Sequence, residues 1–448
     1  MNEFVFQAPT KVVFGKGVEN QVGQLCKEQG ATKVLVHFGG QSAKKSGLLD
    51  RVYASLDEAG IPYVSLGGVK PNPRLSLVYE GIELCRKEGV DFLLPVGGGS
   101  VIDSAKAIGY GLANDFDVWD LYDHKHTATG CAPMGAVLTL AAAGSEMSDS
   151  SVITKEEGGI KRGYNSDLCR CKFAVMNPEL TYTLPAYQTA CGAADIMMHV
   201  MERYFVKEDT LELTDGMAEA LIRTVMKNAV LALKDPENYK ARAEIMWASS
   251  LAHNGLMNCG GPKGDWACHQ LEHELGGMFD VAHGAGLAAV WGSWARYVLE
   301  DKPERFAQFS NRIFGIPMGE AKETALKGVE AMEAFYRSIG MPVNIRELGV
   351  ENLTQEQIDT LAKKCCFGGR TIGLFKILHQ EDIRTIYQMA KGRRICASLP
   401  KRCTAVTQLA KNSHGVSQKN KEKGKGPVIR SFSFFWGGVV LKSAALSR

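Results

Sequence analysis

Two pairs of potential metal ligands, each spaced four residues apart, constrain this chain more than any other feature. Asp195 and His199 stand in GAADIMMHVMERYF, and His269 and His273 in DWACHQLEHELGGMFDVAHGAG. Both stretches read as helix, where residues four apart lie on one face, one turn above the other. His283 follows fourteen residues after His269, just before Gly284-Ala285-Gly286, and Glu272 and Glu274 flank His273. Helical Asp/His and His/His pairs with one further histidine make a metal-site inventory of nitrogen and oxygen donors. A lone histidine is more often a surface or satisfied core residue. Five candidate donors in two helical pairs favour metal, although spacing alone does not say which four bind.

The chain before residue 185 has a different texture. Residues 4–14, FVFQAPTKVVF, read as strands around a Pro-containing turn, with a polar helix near 17–29. Short apolar runs at 33–37, 63–66 and 91–96 read as buried parallel strands, with helices at about 47–59 and 75–88 between them. This alternation argues for a parallel sheet with helices on both faces, a Rossmann-like α/β domain over 1–184. The run at 91–96 leads into Gly97, Gly98, Gly99 and Ser100, then Asp103. A Gly-rich turn from strand to helix lets backbone N–H groups approach a phosphate, and the helix N-terminus adds partial positive charge. Ile102 excludes the GxGxxG pattern, and a plain tight turn fits the glycines alone about equally well; the buried strand before them tips the reading towards phosphate. A second small-residue loop, TLAAAGSE, begins at Thr139 and by itself reads as a packed turn.

From about Pro185 strand-like runs give way to amphipathic helical patterns at 187–206, 211–233, 238–257, 265–278, 284–299, 302–313, 319–339, 354–364 and 379–390. A helical domain over 185–390 therefore holds every metal candidate. A cleft between the two domains would bring the phosphate loops and the metal together.

The net charge of +3 hides an asymmetry: residues 391–448 carry thirteen Lys/Arg and one acid, leaving 39 basic and 48 acidic residues, net −9, in the rest. The basic tail, around NSHGVSQKNKEKGKGP, is expected to be poorly ordered, and the pI gives no ground for a nucleic-acid partner. No apolar run reaches the length of a membrane span, the first residues lack a signal pattern, and the twelve cysteines form no CxxC pairs. A cytoplasmic protein with reduced thiols and no membrane contact is expected.

Five stretches together carry a resemblance: GGGSVIDSAKAIG (97–109), TLAAAGSEMS (139–148), NPELTYTLP (177–185), GAADIMMHVMERYF (192–205) and DWACHQLEHELGGMFDVAHGAGLA (265–288). In their order and spacing the sequence resembles the iron-containing (group III) alcohol dehydrogenases, particularly the butanol dehydrogenase branch, from about residue 3 to 390. The resemblance implies a dehydroquinate synthase-like fold: a nucleotide-binding α/β domain followed by a helical metal-binding domain. It implies Asp195, His199, His269 and His283 as metal ligands, and His273 as a non-ligand histidine near the nicotinamide, suited to proton relay. It sets Gly97, Gly98, Gly99, Ser100 and Asp103 at the pyrophosphate, Thr139 in the second cofactor loop, and Asn72 and Lys161 where relatives contact the cofactor. Ala143 stands where many relatives have Thr, and Cys171 where Pro is common. Relatives are often homodimers.

The implied reaction is hydride transfer between a nicotinamide and a small primary alcohol or aldehyde, of butanol or butyraldehyde type, with a divalent metal polarising the substrate oxygen. Fe(II) is the family's usual metal, and the same donors accept Zn(II). An acid after the second strand would bind the ribose 2′-hydroxyl of NAD(H) and repel the 2′-phosphate of NADP(H). Residues 38–46 hold no acid and offer Gly39, Gly40, Gln41 and Ser42, then Lys44 and Lys45, which favours NADP(H) while admitting NAD(H). Trp266, Leu271, Leu275, Met278 and Phe279 around the metal motif suit a small apolar substrate better than the anionic one of a dehydroquinate synthase-like enzyme. A glycerol dehydrogenase- or dehydroquinate synthase-like enzyme on the same scaffold is the alternative, and a purely structural metal would need no phosphate loop beside it. The resemblance ends at 390, and the tail reads as an edge strand, a contact patch or, preferentially, sequence with no selected role. Removing residues 391–448 is therefore expected to leave turnover and folding intact; loss of either on truncation would refute this reading.

Overall fold

The structure, a computed structural model, describes residues 1–208 and 211–392. Among the described residues eight strands are formed: β1 (Lys11–Phe14), β2 (Val34–Phe38), β3 (Tyr63–Leu66), β4 (Phe92–Gly97), β5 (Gly135–Leu138), β6 (Ser150–Lys155), β7 (Ile160–Asn165) and β8 (Phe173–Met176). Six make a parallel sheet in the order β1-β8-β5-β4-β2-β3. The inner strands β2, β4, β5 and β8 are buried along their whole length, and this is why they appear in sequence as unbroken apolar runs.

Successive residues of these strands enter two different cores, as the period of two requires. Val34, Val36, Phe92, Leu94, Val96, Val137, Phe173 and Val175 pack with the helices Val22–Glu28 and Leu48–Ala59. Leu35, Leu93, Ala136, Leu138, Ala174 and Met176 pack with the helices Leu75–Glu88 and Gly99–Ala113, in a core continuous with the second half of the chain. The helix after β2 thus lies on one face and the helix after β4 on the other, although β2 and β4 are neighbours. Such a switch point opens a crevice at the carboxyl ends of the strands.

All nine α-helices between 186 and 390 fall where periodicity predicts them, within about two residues for most ends. Two parts of the first half differ from expectation. Only Lys11–Phe14 of residues 4–14 is a strand; Phe4, Val5 and Phe6 are exposed, so their apolar pattern does not serve a core. The antiparallel hairpin β6–β7 has no clean apolar alternation, because it buries Lys161 and Arg162 alongside Ile153 and Tyr164. Its turn, Gly158 (φ 79°) and Gly159 (φ 54°), packs on the Ala267–Phe279 helix: a Cβ on Gly159 would lie 2.4 Å from the Gly277 carbonyl oxygen.

Two further glycines permit backbones to meet at the centre of the molecule. A Cβ on Gly284 would stand 2.0 Å from the Cys191 carbonyl oxygen, and one on Gly192 2.3 Å from that of Ala141. The first contact joins the His283–Val298 helix to the Ala186–Tyr204 helix, and the second seats Ala186–Tyr204 against the small-residue loop after β5. Gly284→Ala should therefore destabilise the fold by about 1–3 kcal/mol through overpacking against rigid backbone. Gly216→Ala, on an exposed helical site with open space around it, should stabilise by up to about 1 kcal/mol. Urea midpoints of the two variants check the contrast.

Candidate active site

The Ala186–Tyr204 helix carries Asp195 and His199, the Ala267–Phe279 helix His269 and His273, and His283 begins the next helix. Asp195 Oδ1 lies 3.2 Å from His199 Nδ1, 3.8 Å from His269 Nε2 and 3.6 Å from His283 Nε2. Ligand atoms of Asp195, His199 and His269 all fall within 4.8 Å of one another, and all three residues are buried. His283 closes the group from the rim, with 27% of its side chain exposed. His273 sits one turn on, its ring centroid 6.5 Å from that of His269 and 5.9 Å from that of His283.

Asp195 Oδ1 and His269 Nε2 are both buried without a hydrogen-bond partner. Two such orphans pointing at one place are costly unless a cation joins them. The other ring nitrogens are occupied. His199 Nδ1 donates to the Asp195 carbonyl (3.0 Å), His269 Nδ1 to Glu202 Oε1 (3.1 Å), and His283 Nδ1 to Glu272 Oε2. Each bond leaves the Nε2 lone pair for a metal, with carboxylates fixing two of the rings as is usual behind metal-bound imidazoles. These four side chains therefore fit a divalent metal of the iron or zinc type. Burial opposes a charge on His269, but Asp195 and Glu202 outweigh it and hold its pKa up at about 9, so the pocket favours positive charge. His273 goes the other way: burial first, then Lys161 and the neighbouring imidazoles, push it well below its ordinary value.

Lys161, from the hairpin, reaches this group directly. Its Nζ donates to Glu272 Oε2 (2.9 Å) and lies 3.4 Å from His283 Nδ1. Burial disfavours the Glu272 carboxylate, yet His283 and Lys161 hold its pKa down at about 2.

A cleft of about 1540 Å³ joins the metal group to the carboxyl ends of the strands. That exceeds the ~300–1,000 Å³ usual for one small ligand, which suits a dinucleotide with a substrate. Gly98, Gly99, Ser100, Asp103, Asn72 and Lys161 line it together with Asp195, His199, His269, His273 and His283. Gly97 ends β4 behind the turn, and Thr139 N donates to its carbonyl (3.0 Å); neither lines the cleft. Asp103 accepts from Ser145 Oγ (2.6 Å) and Val152 N (3.1 Å), and so ties two loops together. Asn72, at φ 53°, donates across the cleft to Asp280 Oδ1 (3.0 Å) and the Val281 carbonyl. Gly39, Gly40, Gln41 and Ser42 follow β2 outside the lining, while residues 69–73 beside them line it.

Of the five apolar residues expected to suit a small substrate, Trp266 alone lines the cleft. Leu271 and Leu275 are core, and Met278 and Phe279 pack against that core. Ile372 and Leu374 supply apolar lining instead. Sequence reading missed Glu202, three residues after His199 on the same helical face, and that spacing would have found it. It also missed His253, whose ring stacks on His199 at 4.1 Å while its Nδ1 donates to the Ala143 carbonyl (2.7 Å); no local pattern marks it. Glu202→Gln or Glu272→Gln should weaken metal affinity about 10–100-fold with secondary structure intact, as read by chelator competition and circular dichroism. Unchanged affinity in both variants would remove these carboxylates from the site.

The family model described as iron-containing alcohol dehydrogenase matches residues 9–178, and that of the family's C-terminal part matches 189–391. The chain is 40% identical over 388 residues to a probable NADH-dependent butanol dehydrogenase of Bacillus subtilis, covering 86% of this chain and 99% of the relative. It is 34% identical over 395 residues to the NADPH-dependent aldehyde reductase YqhD of Escherichia coli, covering 87% and 100%. The crystal structure of NADH-dependent butanol dehydrogenase A from Thermotoga maritima superposes with a TM-score of 0.85 at 40% identity, covering 88% of this chain and 99% of that one. A buried donor set open to a Gly-rich strand-to-helix turn, matched along nearly the whole described length, makes the chain a member of the iron-containing alcohol dehydrogenase family.

Proposed function

We propose that the protein is a metal-dependent, nicotinamide-linked alcohol dehydrogenase and aldehyde reductase acting on small primary alcohols and aldehydes of the butanol type. The observation that carries this is the single cleft in which Gly98, Gly99 and Ser100 share walls with Asp195, His199, His269 and His283. Residues 1–184 act as the cofactor domain and 185–390 as the metal domain, in a cytoplasmic homodimer. Asp195, His199, His269 and His283 hold the metal. Gly98, Gly99 and Ser100 would hold the cofactor's pyrophosphate, with Gly97, Asp103, Thr139 and Asn72 supporting the loops around them.

When bound, the metal supplies Lewis acidity at the substrate oxygen, and the nicotinamide carries the hydride. The chain contributes position and proton handling. Glu202 and Glu272 keep two imidazoles aimed at one point. His273, buried and neutral, has no hydrogen-bond partner among the described residues, so its ring can relay a proton to the product oxygen, giving one from one nitrogen as it accepts one from solvent at the other, and run the same relay backwards for an alcohol. Trp266, Ile372 and Leu374 keep water from the reacting carbon.

Iron(II) is the preferred occupant, with zinc accepted by the same donors. NADP(H) is preferred over NAD(H), because no acid follows β2 and Lys44 and Lys45 stand close behind it; relatives carry both cofactor names. The decisive test strips the protein with chelator, reloads Fe(II) or Zn(II) separately, and follows NADPH and NADH oxidation with butyraldehyde. Metal-dependent turnover, with kcat/KM higher for NADPH, is expected. Absence of turnover at one bound metal per chain would overturn the dehydrogenase reading, and a tenfold preference for NADH would overturn the cofactor reading.

A further inference from the structure

The small-residue loop after β5 touches both halves of the cleft. On one side it meets the Gly-rich turn: a Cβ on Gly98 would stand 3.0 Å from Leu140 Cβ, and one on Gly99 3.0 Å from Ala143 Cβ. On the other side the end of the Tyr239–His253 helix holds it. Ser249 Oγ donates to the Ala142 carbonyl (3.2 Å), Ser250 Oγ to Glu146 Oε1 (2.5 Å), and His253 Nδ1 to the Ala143 carbonyl (2.7 Å). Gly144, at φ 62°, admits this approach, since a Cβ there would lie 2.5 Å from the Ser249 carbonyl oxygen. Ala143 has no side-chain hydroxyl to offer a cofactor, and its carbonyl is taken by His253. Nδ1 of His253 carries a proton, because a carbonyl only accepts. The same ring lies on His199, with centroids 4.1 Å apart and planes inclined by 29°. Trp266 packs beside both rings, its centroid 5.9 Å from that of His253 and 6.1 Å from that of His199. One imidazole thus holds the loop by its edge and covers His199 with its face.

We infer, on the reading that the cleft holds both a metal and a nicotinamide dinucleotide, that His253 is a positioning residue coupling the two: a bound dinucleotide tightens metal binding by way of the loop, His253 and His199. A pyrophosphate at Gly98, Gly99 and Ser100 would hold the turn and, through Leu140 and Ala143, the loop packed on it. A fixed Ala143 carbonyl fixes the His253 ring. That ring then fixes the plane of His199, whose Nδ1 is already bound to the Asp195 carbonyl (3.0 Å). A metal ion meets an imidazole already in place and has less side-chain freedom to remove. Linkage makes the effect reciprocal, so bound metal raises the affinity for dinucleotide by the same factor. Coupling between sites commonly amounts to about 5–150-fold, and with one donor of four affected the expected value is about 5–20-fold.

The test measures Co(II) affinity of the full chain by chelator competition, alone and with saturating NADP+ or, in parallel, NAD+. The Co(II) absorption spectrum reports donor geometry independently of turnover, and calorimetry reports dinucleotide binding. Two variants divide the link. His253→Phe keeps a ring on His199 and loses the donor to Ala143; His253→Asn keeps a donor and loses the ring. Circular dichroism confirms that each is folded. In the unaltered protein dinucleotide should tighten Co(II) about 5–20-fold and shift the Co(II) spectrum. In both variants the gain should fall to about twofold or less and the spectral shift should vanish, with Co(II) still bound when dinucleotide is absent. No gain in the unaltered protein, with both ligands bound, overturns the inference alone. A full gain surviving in either folded variant also overturns it, by routing the coupling through the nicotinamide itself. A variant that binds Co(II) more weakly yet keeps that gain does the same, by reducing His253 to a support of the metal group. Failure of the unaltered protein to bind either dinucleotide overturns the dehydrogenase reading together with the inference.

Discussion

The buried carboxylate of Asp195 is the point to which the rest of the structure answers. It draws imidazoles from two other segments to within 4 Å of one oxygen, in a place where neither Oδ1 nor His269 Nε2 finds a protein partner. An uncompensated cluster of this kind would weigh against folding. It is tolerable because Glu202 and Glu272 fix the rings from behind and because the free lone pairs converge on one cation-sized position. His37 is the instructive contrast. It is equally buried, but both its ring nitrogens are satisfied, by the Leu66 carbonyl and Ser104 Oγ at 2.9 Å each, and burial holds its pKa down at about 4.

The cleft is kept open by contacts that cross it only at chosen places. Arg74 and Asn72 reach Asp280 from the α/β side, at 2.9 and 3.0 Å. The β6–β7 hairpin brings Lys161 to Glu272 and Arg162 to Glu274, both pairs almost fully buried. Buried pairs of this sort set register more than they add stability. Their effect here is to hold the hairpin, and with it the α/β half, at a fixed distance from the Asp195 and His269 donor group. Lys106 does the same within the first half. Its buried ammonium donates to the carbonyls of Ser145, Ser148 and Ser150, fastening the hairpin's approach to the Gly99–Ala113 helix.

Much of this was legible in the sequence. Of the inner strands, β2 and β4 announced themselves as short apolar runs while β5 and β8 did not, and the helices of the second half announced themselves by periodicity, because burial of one face sets that pattern. Helical spacing marked Asp195 with His199 and His269 with His273 as pairs; which four of the five donors form one set needed the family resemblance. The hairpin escaped notice because its buried residues include Lys161 and Arg162, whose partners lie more than a hundred residues away. His253 escaped for the same reason, since its neighbours His199 and Ala143 are remote in sequence. Leu271 and Leu275 misled in the opposite sense: they share a helix with His269 but turn to the core. The poorly ordered tail expected at 391–448 falls outside the described residues apart from its first two positions.

The division of the sheet between two cores has a consequence for how this chain tolerates change. Leu93 and Leu94 are adjacent, and both are fully buried. Leu93 belongs to a core that runs on into the Ala186–Tyr204 and Ala267–Phe279 helices, whereas Leu94 packs only within the first part of the chain. Neighbours on one strand therefore differ in mutational reach. A cavity opened at Leu93 is transmitted towards the Asp195 helix, and one opened at Leu94 stays local. In lineages that drift apart, odd and even positions of the same strand should sort with different sets of compensating partners.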